Sequence, residues 1–260
     1  MPNYQTIRMK KKHSIGYLTL NRPQVRNAFN REMIDELQQV LTLIDKDNEI
    51  RVLIITGAGQ VFQAGADIAE LRCMQPLDIL RWNEGIVRIN SALEKLRQPV
   101  IAAINGAALG GGLELAISCT LRIAAESADM GLPEVRLGII PGTGGTQRLP
   151  RLIGKGRAAE LMLTGKIIDA QEAFEIGLVN RVTADEELMP AAEDLTAEML
   201  ANAPIAVEMT KDALEVGKDL PLEQAVQYSQ KNCITCFSTA DMQEGMAAFL
   251  EKRKPGFTGE

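Results

Sequence analysis

Apolar positions along the chain follow two regimes that meet near residue 184. Upstream, short apolar runs alternate with turns rich in Gly, Asn and Pro; downstream, only helical periodicity remains. The first regime predicts strands at Thr6 to Arg8 and Ile15 to Leu20, a turn at Asn21 to Pro23, and a helix opened by Asn30 as its cap. In that helix Met33, Leu37, Val40, Leu41 and Ile44 recur near a period of 3.6 and form one apolar stripe. Buried strands follow at Arg51 to Thr56, Val100 to Ile104 and Leu121 to Ala124. A long helix lies over Leu77 to Leu96 and a short one over Leu113 to Ser118. Helices over Arg157 to Leu163 and Ala170 to Ile176 stop at Gly165 and Gly177. The second regime reads as four helices: Leu188 to Ala201, Pro204 to Val216, Leu222 to Phe237 and Thr239 to Lys252. The division expected is a mixed α/β core over residues 1–195 and a helical region over residues 196–260. Two strands and a helix recur in the core without an exact sequence repeat.

At 260 residues and 46% hydrophobic, the chain can bury a sizeable core. Aromatics make up only 4%, which suits close packing of helices on strands better than stacking on bases. A formal charge of -6 argues against a general polyanion binder, and the basic run Arg8, Lys10, Lys11 and Lys12 reads as a solvated strand end. No 18-residue apolar span, signal-peptide core or transit pattern is present, so a soluble, cytoplasmic protein without membrane contact is expected.

Two residue types remove whole chemistries. Cys73, Cys119, Cys233 and Cys236 include a single CxxC with no second pair, and His13 is the only histidine, so no metal site is expected and the thiols should be reduced. His13 sits in the basic N-terminal strand region with no GxSxG elbow to serve, which makes a Ser-His-Asp hydrolase improbable. Acid and base work then falls to carboxylates. Most carboxylates, including Glu32, Asp35, Glu36 and Glu94, lie among Lys and Arg on amphipathic helices and read as solvated faces.

The exceptions lie in three glycine-rich segments. Pro99 to Glu114 breaks from an apolar strand into Gly106, Gly110, Gly111 and Gly112, then reopens as a helix carrying Glu114. Glycines there permit positive φ and close approach of a ligand to backbone N–H groups, as an oxyanion site requires. Val52 to Leu71 ends in Ala64, Gly65, Ala66 and Asp67, where small residues again expose backbone. Met130 to Gly154 sets Glu134 after a proline and ahead of Gly142, Gly144 and Gly145. None of them gives GxGxxG in a βαβ context or GxxxxGK[ST], so dinucleotide and phosphate-loop readings are weak.

Together these segments resemble the crotonase family, the enoyl-CoA hydratases and isomerases. LNRPQVRNAFN is similar to that family's N-terminal turn, VFQAGADI to its first oxyanion segment, NGAALGGGLELA to its second, and LPEVRLGIIPGTGGTQRL and EGMAAFLEKRKPGF complete a match over nearly the whole chain. The resemblance implies a spiral of repeated ββα units followed by helices that assemble trimers, commonly paired into hexamers. It implies that the N–H groups of Ala66 and Gly111 hold the thioester oxygen of an acyl-CoA, each such donor being worth about 3–4 kcal/mol in the transition state. By the same resemblance Glu114 holds and deprotonates the attacking water and Glu134 exchanges a proton with the α-carbon. Val25, Ala28, Ala64, Asp67, Ile68, Gly110, Pro133 and Gly142 match substrate and CoA contacts; the Asp67 side chain is expected to cap the helix from Ile68. Coenzyme A is then part of the substrate, with no separate cofactor.

Three positions depart from the common pattern. Thr120 replaces a frequent Asp, Ala69 a frequent Lys, and Leu132 a Gln found in some hydratases. The first bears on a supporting hydrogen bond, the second on a charge contact to CoA phosphate, and the third makes the acyl pocket more apolar. The leading expectation is hydration of trans-2-enoyl-CoA to 3-hydroxyacyl-CoA. Hydration of a cyclic or branched unsaturated acyl-CoA, double-bond isomerisation, and a non-enzymatic RNA-binding role are the alternatives.

Overall fold

The structure is a computed structural model and describes residues 4–260. Among the described residues there are ten strands: β1 Ile7–Lys12, β2 Ile15–Leu20, β3 Val52–Gly57, β4 Val61–Gln63, β5 Val100–Ile104, β6 Ala107–Leu109, β7 Leu121–Ala125, β8 Asp129–Gly131, β9 Ile167–Asp169 and β10 Arg181–Thr183. They divide into a six-stranded sheet ordered β1-β2-β3-β5-β7-β10 and a four-stranded sheet ordered β4-β6-β8-β9. Consecutive strands alternate between the sheets, β3, β5 and β7 entering the larger and β4, β6 and β8 the smaller. Within each sheet these neighbours pair in parallel.

The helices are α1 Arg31–Lys46, α2 Ile68–Leu71, α3 Pro76–Lys95, α4 Gly111–Ala116, α5 Gly145–Ile153, α6 Lys155–Thr164, α7 Ala170–Glu175, α8 Leu188–Leu200, α9 Pro204–Gly217, α10 Leu222–Phe237 and α11 Ala240–Glu251. The mixed α/β architecture and the four C-terminal helices agree with the sequence pattern. Asn30 caps α1 by accepting from Met33 N at 2.9 Å, and the expected stripe is buried together with Ile34. Residue 195, the expected end of the core, lies inside α8.

The apolar runs of β3 and β5 are buried on both faces, as parallel strands covered by helices must be. Leu53, Ile55, Val100, Ala102 and Ile104 join α1 and α3 in the main core. Val52, Ile54, Ile101 and Ala103 face the other way, against Leu188 and Ala192 of α8. Val100 N donates to Thr120 Oγ1 at 3.1 Å, so the departure at Thr120 keeps a hydrogen bond to the start of β5.

Several local expectations are corrected. The basic run is the body of β1, not a strand end, because β1 pairs antiparallel with β2 along its whole length and a hairpin turns at His13, which takes φ 53. Lys11 is paired, with Asp47 at 3.0 Å and Glu49 at 2.5 Å. Glu36 is no solvated face: it accepts from Gln5 N at 2.6 Å, Thr6 N at 2.8 Å and the Thr6 hydroxyl, tying the start of β1 to α1. The glycine turn forms at residues 142–144, but it runs on into α5, a helix the sequence pattern does not predict, despite Pro150, whose missing N–H falls within the second turn of the helix.

Candidate active site

The first glycine-rich segment is held in place by two buried amides. Asn27, at φ 57, donates through Nδ2 to Ala58 O at 2.9 Å and Val61 O at 2.7 Å. Gln63 spans Gly65, accepting from its N at 2.6 Å and donating to its O at 2.8 Å. Phe29 then bridges Ala66 in parallel: Phe29 N donates to Gly65 O at 2.8 Å and Asp67 N to Phe29 O at 2.9 Å. This ladder skips the N–H of Ala66.

The second segment reaches the same place from β6. Gly110, at φ +54, donates its N–H to Gly131 O at 2.9 Å, and Gly111 opens α4. A Cβ on Gly65 would lie 3.7 Å from Gly111 N, so the two segments meet backbone to backbone. Among the described residues, neither Ala66 N–H nor Gly111 N–H is donated to a protein acceptor. Gly106 and Gly110 take positive φ as expected. Gly112 is helical and serves close approach instead, since a Cβ there would lie 2.1 Å from Gln63 O.

The two glutamates occupy contrasting surroundings. Glu114 is 2% exposed; its Oε1 accepts from Thr143 N at 2.9 Å and Gly145 N at 2.7 Å, and its Oε2 accepts from the Thr143 hydroxyl. Glu134 begins a 3-10 turn, Glu134–Leu137, and its Oε2 is buried without a hydrogen-bond partner among the described residues. Burial pushes the Glu134 carboxyl up to about 7, with the Glu114 charge acting in the same direction. A Cβ on Gly110 would lie 3.1 Å from Glu134 Oε1, and one on Gly145 would lie 3.1 Å from Glu114 Oε1. The glycines therefore make room for the carboxylates as well as exposing N–H groups.

Such an arrangement can hold a neutral acid beside a firmly oriented carboxylate and offer two free backbone donors between the segments that carry them. A group with its proton balanced near neutrality, next to a hydrogen-bonded carboxylate, suits paired proton transfer at a carbon centre.

The remaining expected contacts are placed as follows. Val25 is exposed on the 3-10 turn Pro23–Val25 and Ala28 is buried behind it, its carbonyl accepting from Arg22 Nη1 at 2.6 Å. Ala64 N donates to Arg26 O at 3.1 Å, joining the two loops. Ile68 is exposed at the start of α2. Asp67 occupies the N-cap position of α2, yet its side chain makes no cap bond; the carboxylate turns to Arg22 Nη2 at 3.3 Å, a correction to the expected cap. Pro133 directly precedes the Glu134 turn. Gly142 is exposed beside Asn83 of α3, where a Cβ would lie 3.0 Å from Nδ2. Ala69 is exposed and Leu132 fully buried.

Sequence reasoning missed the groups that orient Glu114. Thr143 and Gly145 supply its three donors, and nothing in the sequence of that glycine-rich turn links it to Glu114. Glu94, expected on a solvated face, is half-buried and bound by Arg148 at 2.7 Å and Lys218 at 3.0 Å. Those cations lie 54 and 124 residues away in sequence, beyond the reach of helical spacing.

The sequence matches the family model described as enoyl-CoA hydratase/isomerase over residues 10–260. It is 42% identical over 255 residues to a crotonyl-CoA hydratase of Syntrophomonas wolfei, covering 98% of each chain. A short-chain-enoyl-CoA hydratase of Clostridium acetobutylicum is 43% identical over 247 residues, with 95% of each covered. Among solved structures, an enoyl-CoA hydratase from Bacillus anthracis superposes with a TM-score of 0.96 at 44% identity, over 98% of this chain and 100% of that one.

Proposed function

The chain belongs to the enoyl-CoA hydratase/isomerase family, and on that premise we propose that it is an enoyl-CoA hydratase, a lyase that adds water reversibly across the trans-2 double bond to give 3-hydroxyacyl-CoA. The observation that carries this reading is the pairing of Glu114, fixed by three donors, with Glu134, half-buried, its Oε2 without a hydrogen-bond partner among the described residues and its carboxyl pushed up to about 7 by burial.

In the proposed reaction the thioester oxygen accepts from the N–H groups of Ala66 and Gly111. As water attacks C3, Glu114 takes the proton from the water oxygen and the π pair moves toward C2. Negative charge then collects on the thioester oxygen, where a pair of preorganised donors acts most strongly. Glu134 delivers a proton to C2 and completes the 3-hydroxyacyl thioester. Its titration near 7 leaves it able to give that proton in hydration and to take it back in dehydration. Isomerisation needs only one carboxylate shuttling a proton between carbons, so the three-donor clamp on Glu114 favours hydration.

Val25, Ala28, Ala64, Asp67, Ile68, Gly110, Pro133 and Gly142 line the proposed path of the acyl-CoA, which brings its own coenzyme A; the reaction calls for no further cofactor and no metal. The ββα recurrence that alternates strands between the sheets supports a crotonase-like spiral. A C-terminal region from about residue 196 is proposed to assemble trimers, paired into hexamers, in the cytoplasm. Exposed Leu214, Leu222, Ile234, Phe237, Phe249 and Leu250 on α9, α10 and α11 support such an assembly. Among the described residues no helix is long and apolar enough to cross a membrane.

The test is the ultraviolet absorbance of crotonyl-CoA incubated with the purified protein. Loss of the enoyl-thioester band with wild type, and not with Glu114→Gln or Glu134→Gln, is expected. Loss of the band at equal rates with all three would refute the carboxylate roles.

A further inference from the structure

Behind the turn that holds Glu114 lies a second set of contacts that the hydration steps do not use. Arg148, on α5, donates from Nη1 to Thr143 O at 3.2 Å, and from Nε and Nη2 to the two oxygens of Glu94 at 2.9 and 2.7 Å. Its guanidinium packs against Gly144, where φ is +120 and a Cβ would lie 1.8 Å from Nη1. Asn90, fully buried on α3, donates to the same Thr143 carbonyl at 3.1 Å. One carbonyl is thus gripped from two helices, and the N–H groups on either side of it, Thr143 N and Gly145 N, are the ones that hold Glu114.

Glu94 is itself anchored from the C-terminal helices. Lys218, just past α9, donates to Glu94 Oε1 at 3.0 Å. Lys211 on α9, 5% exposed, donates to the main-chain carbonyls of Glu94 at 2.6 Å and Leu96 at 2.5 Å, closing the end of α3. A planar guanidinium can take both carboxylate oxygens and a carbonyl at once; an ammonium has no such fork.

We propose that Arg148 is a positioning residue for the hydration: docked on Glu94, it fixes the Thr143 carbonyl and so aims the N–H pair that orients the Glu114 carboxylate. Helix α9, through Lys211 and the Lys218 that follows it, thereby contributes to the site from behind. The inference rests on the hydratase reading.

The experiment measures kcat and KM on crotonyl-CoA, with thermal unfolding as a control, for Arg148→Gln, Arg148→Lys, Glu94→Gln and the Arg148→Gln/Glu94→Gln double variant. Misaiming a reacting group costs rate rather than binding. On that basis Arg148→Gln should lower kcat about 10- to 100-fold with KM changed less than about threefold. Arg148→Lys keeps the charge pair with Glu94 but not the carbonyl contact, and should stay about tenfold down. The double variant should be no slower than Arg148→Gln, because Glu94 acts through Arg148. A kcat within about twofold of wild type in folded Arg148→Gln, or in Arg148→Lys should the first not fold, overturns the inference. So does a double variant slowed by the product of the single effects. An active wild type with unaffected variants overturns this inference alone; a wild type inactive on crotonyl-CoA overturns the hydratase reading and the inference with it.

Discussion

Replacing Glu134 with Gln should change how stability depends on pH, because a half-buried carboxyl raised to about 7 costs the folded state once it ionises. Below the ordinary glutamate value of 4.5 the side chain is protonated in both states and carries no penalty. Between 4.5 and 7 the unfolded chain releases its proton while the folded chain keeps it, so stability falls as pH rises; above 7 the loss is complete. At about 1.4 kcal/mol per pH unit that interval sets a ceiling of about 3 kcal/mol. Glu134 is only half-buried, and solvent screening reduces the expected loss to about 1–2 kcal/mol. The Gln variant lacks this titration. Urea unfolding at pH 5 and pH 8.5, followed by the fluorescence of Trp82, the only tryptophan and buried in α3, reads the difference directly. Protein concentration must be fixed, since the proposed assembly would add its own term to stability. The wild type should lose about 1–2 kcal/mol relative to Glu134→Gln between those pH values. A gap that stays constant, or that moves in favour of the wild type as pH rises, would refute the argument that burial holds this carboxyl near 7.

Gly112→Ala should destabilise the fold by about 2–3 kcal/mol in urea unfolding, because its Cβ would meet Gln63 O at 2.1 Å and backbone must move; stability within about 0.5 kcal/mol of wild type would show that the segment yields freely. Thr143→Val removes the hydroxyl that Glu114 Oε2 accepts from while leaving both N–H donors, so kcat for hydration should fall about tenfold with KM nearly constant; a change confined to KM would count against the orienting role. Glu114→Gln removes a neighbouring charge that helps raise Glu134, so NMR titration of the Glu134 carboxyl should show its pKa move down, though still above 4.5 because burial is the larger cause; an unchanged or higher value would rule out that coupling.

The parts of the fold legible in the sequence are those in which a single segment carries its own signal. Met33, Leu37, Val40, Leu41 and Ile44 define α1 alone, and Asn30 marks its start. The continuous apolar runs of β3 and β5 identify strands buried on both sides. The three-residue strands β4, β6, β8, β9 and β10 carry no such signal, since three residues cannot display a period and their pairing is set by distant partners. The division of strands between two sheets depends on those pairings and so was equally hidden.

A similar limit separates the catalytic candidates from their supports. Glu114 and Glu134 stood out because glycines surround each of them, and the structure gives those glycines a steric reason: Gly110 and Gly145 leave space for carboxylate oxygens. What distinguishes the two acids is not written near either one. Glu114 is ordered by a turn 29 to 31 residues downstream, and that turn is braced by Asn90 and Arg148, the latter held by a glutamate that local charge spacing assigns to solvent. Among the described residues Glu134 Oε2 has no hydrogen-bond partner, and the rise of its carboxyl to about 7 follows from burial that only the assembled fold creates. Identical residue types acquire contrasting environments because one is supplied with donors and the other is not. A single sequence can therefore point to both carboxylates, while the difference between their surroundings resides in contacts made across the chain.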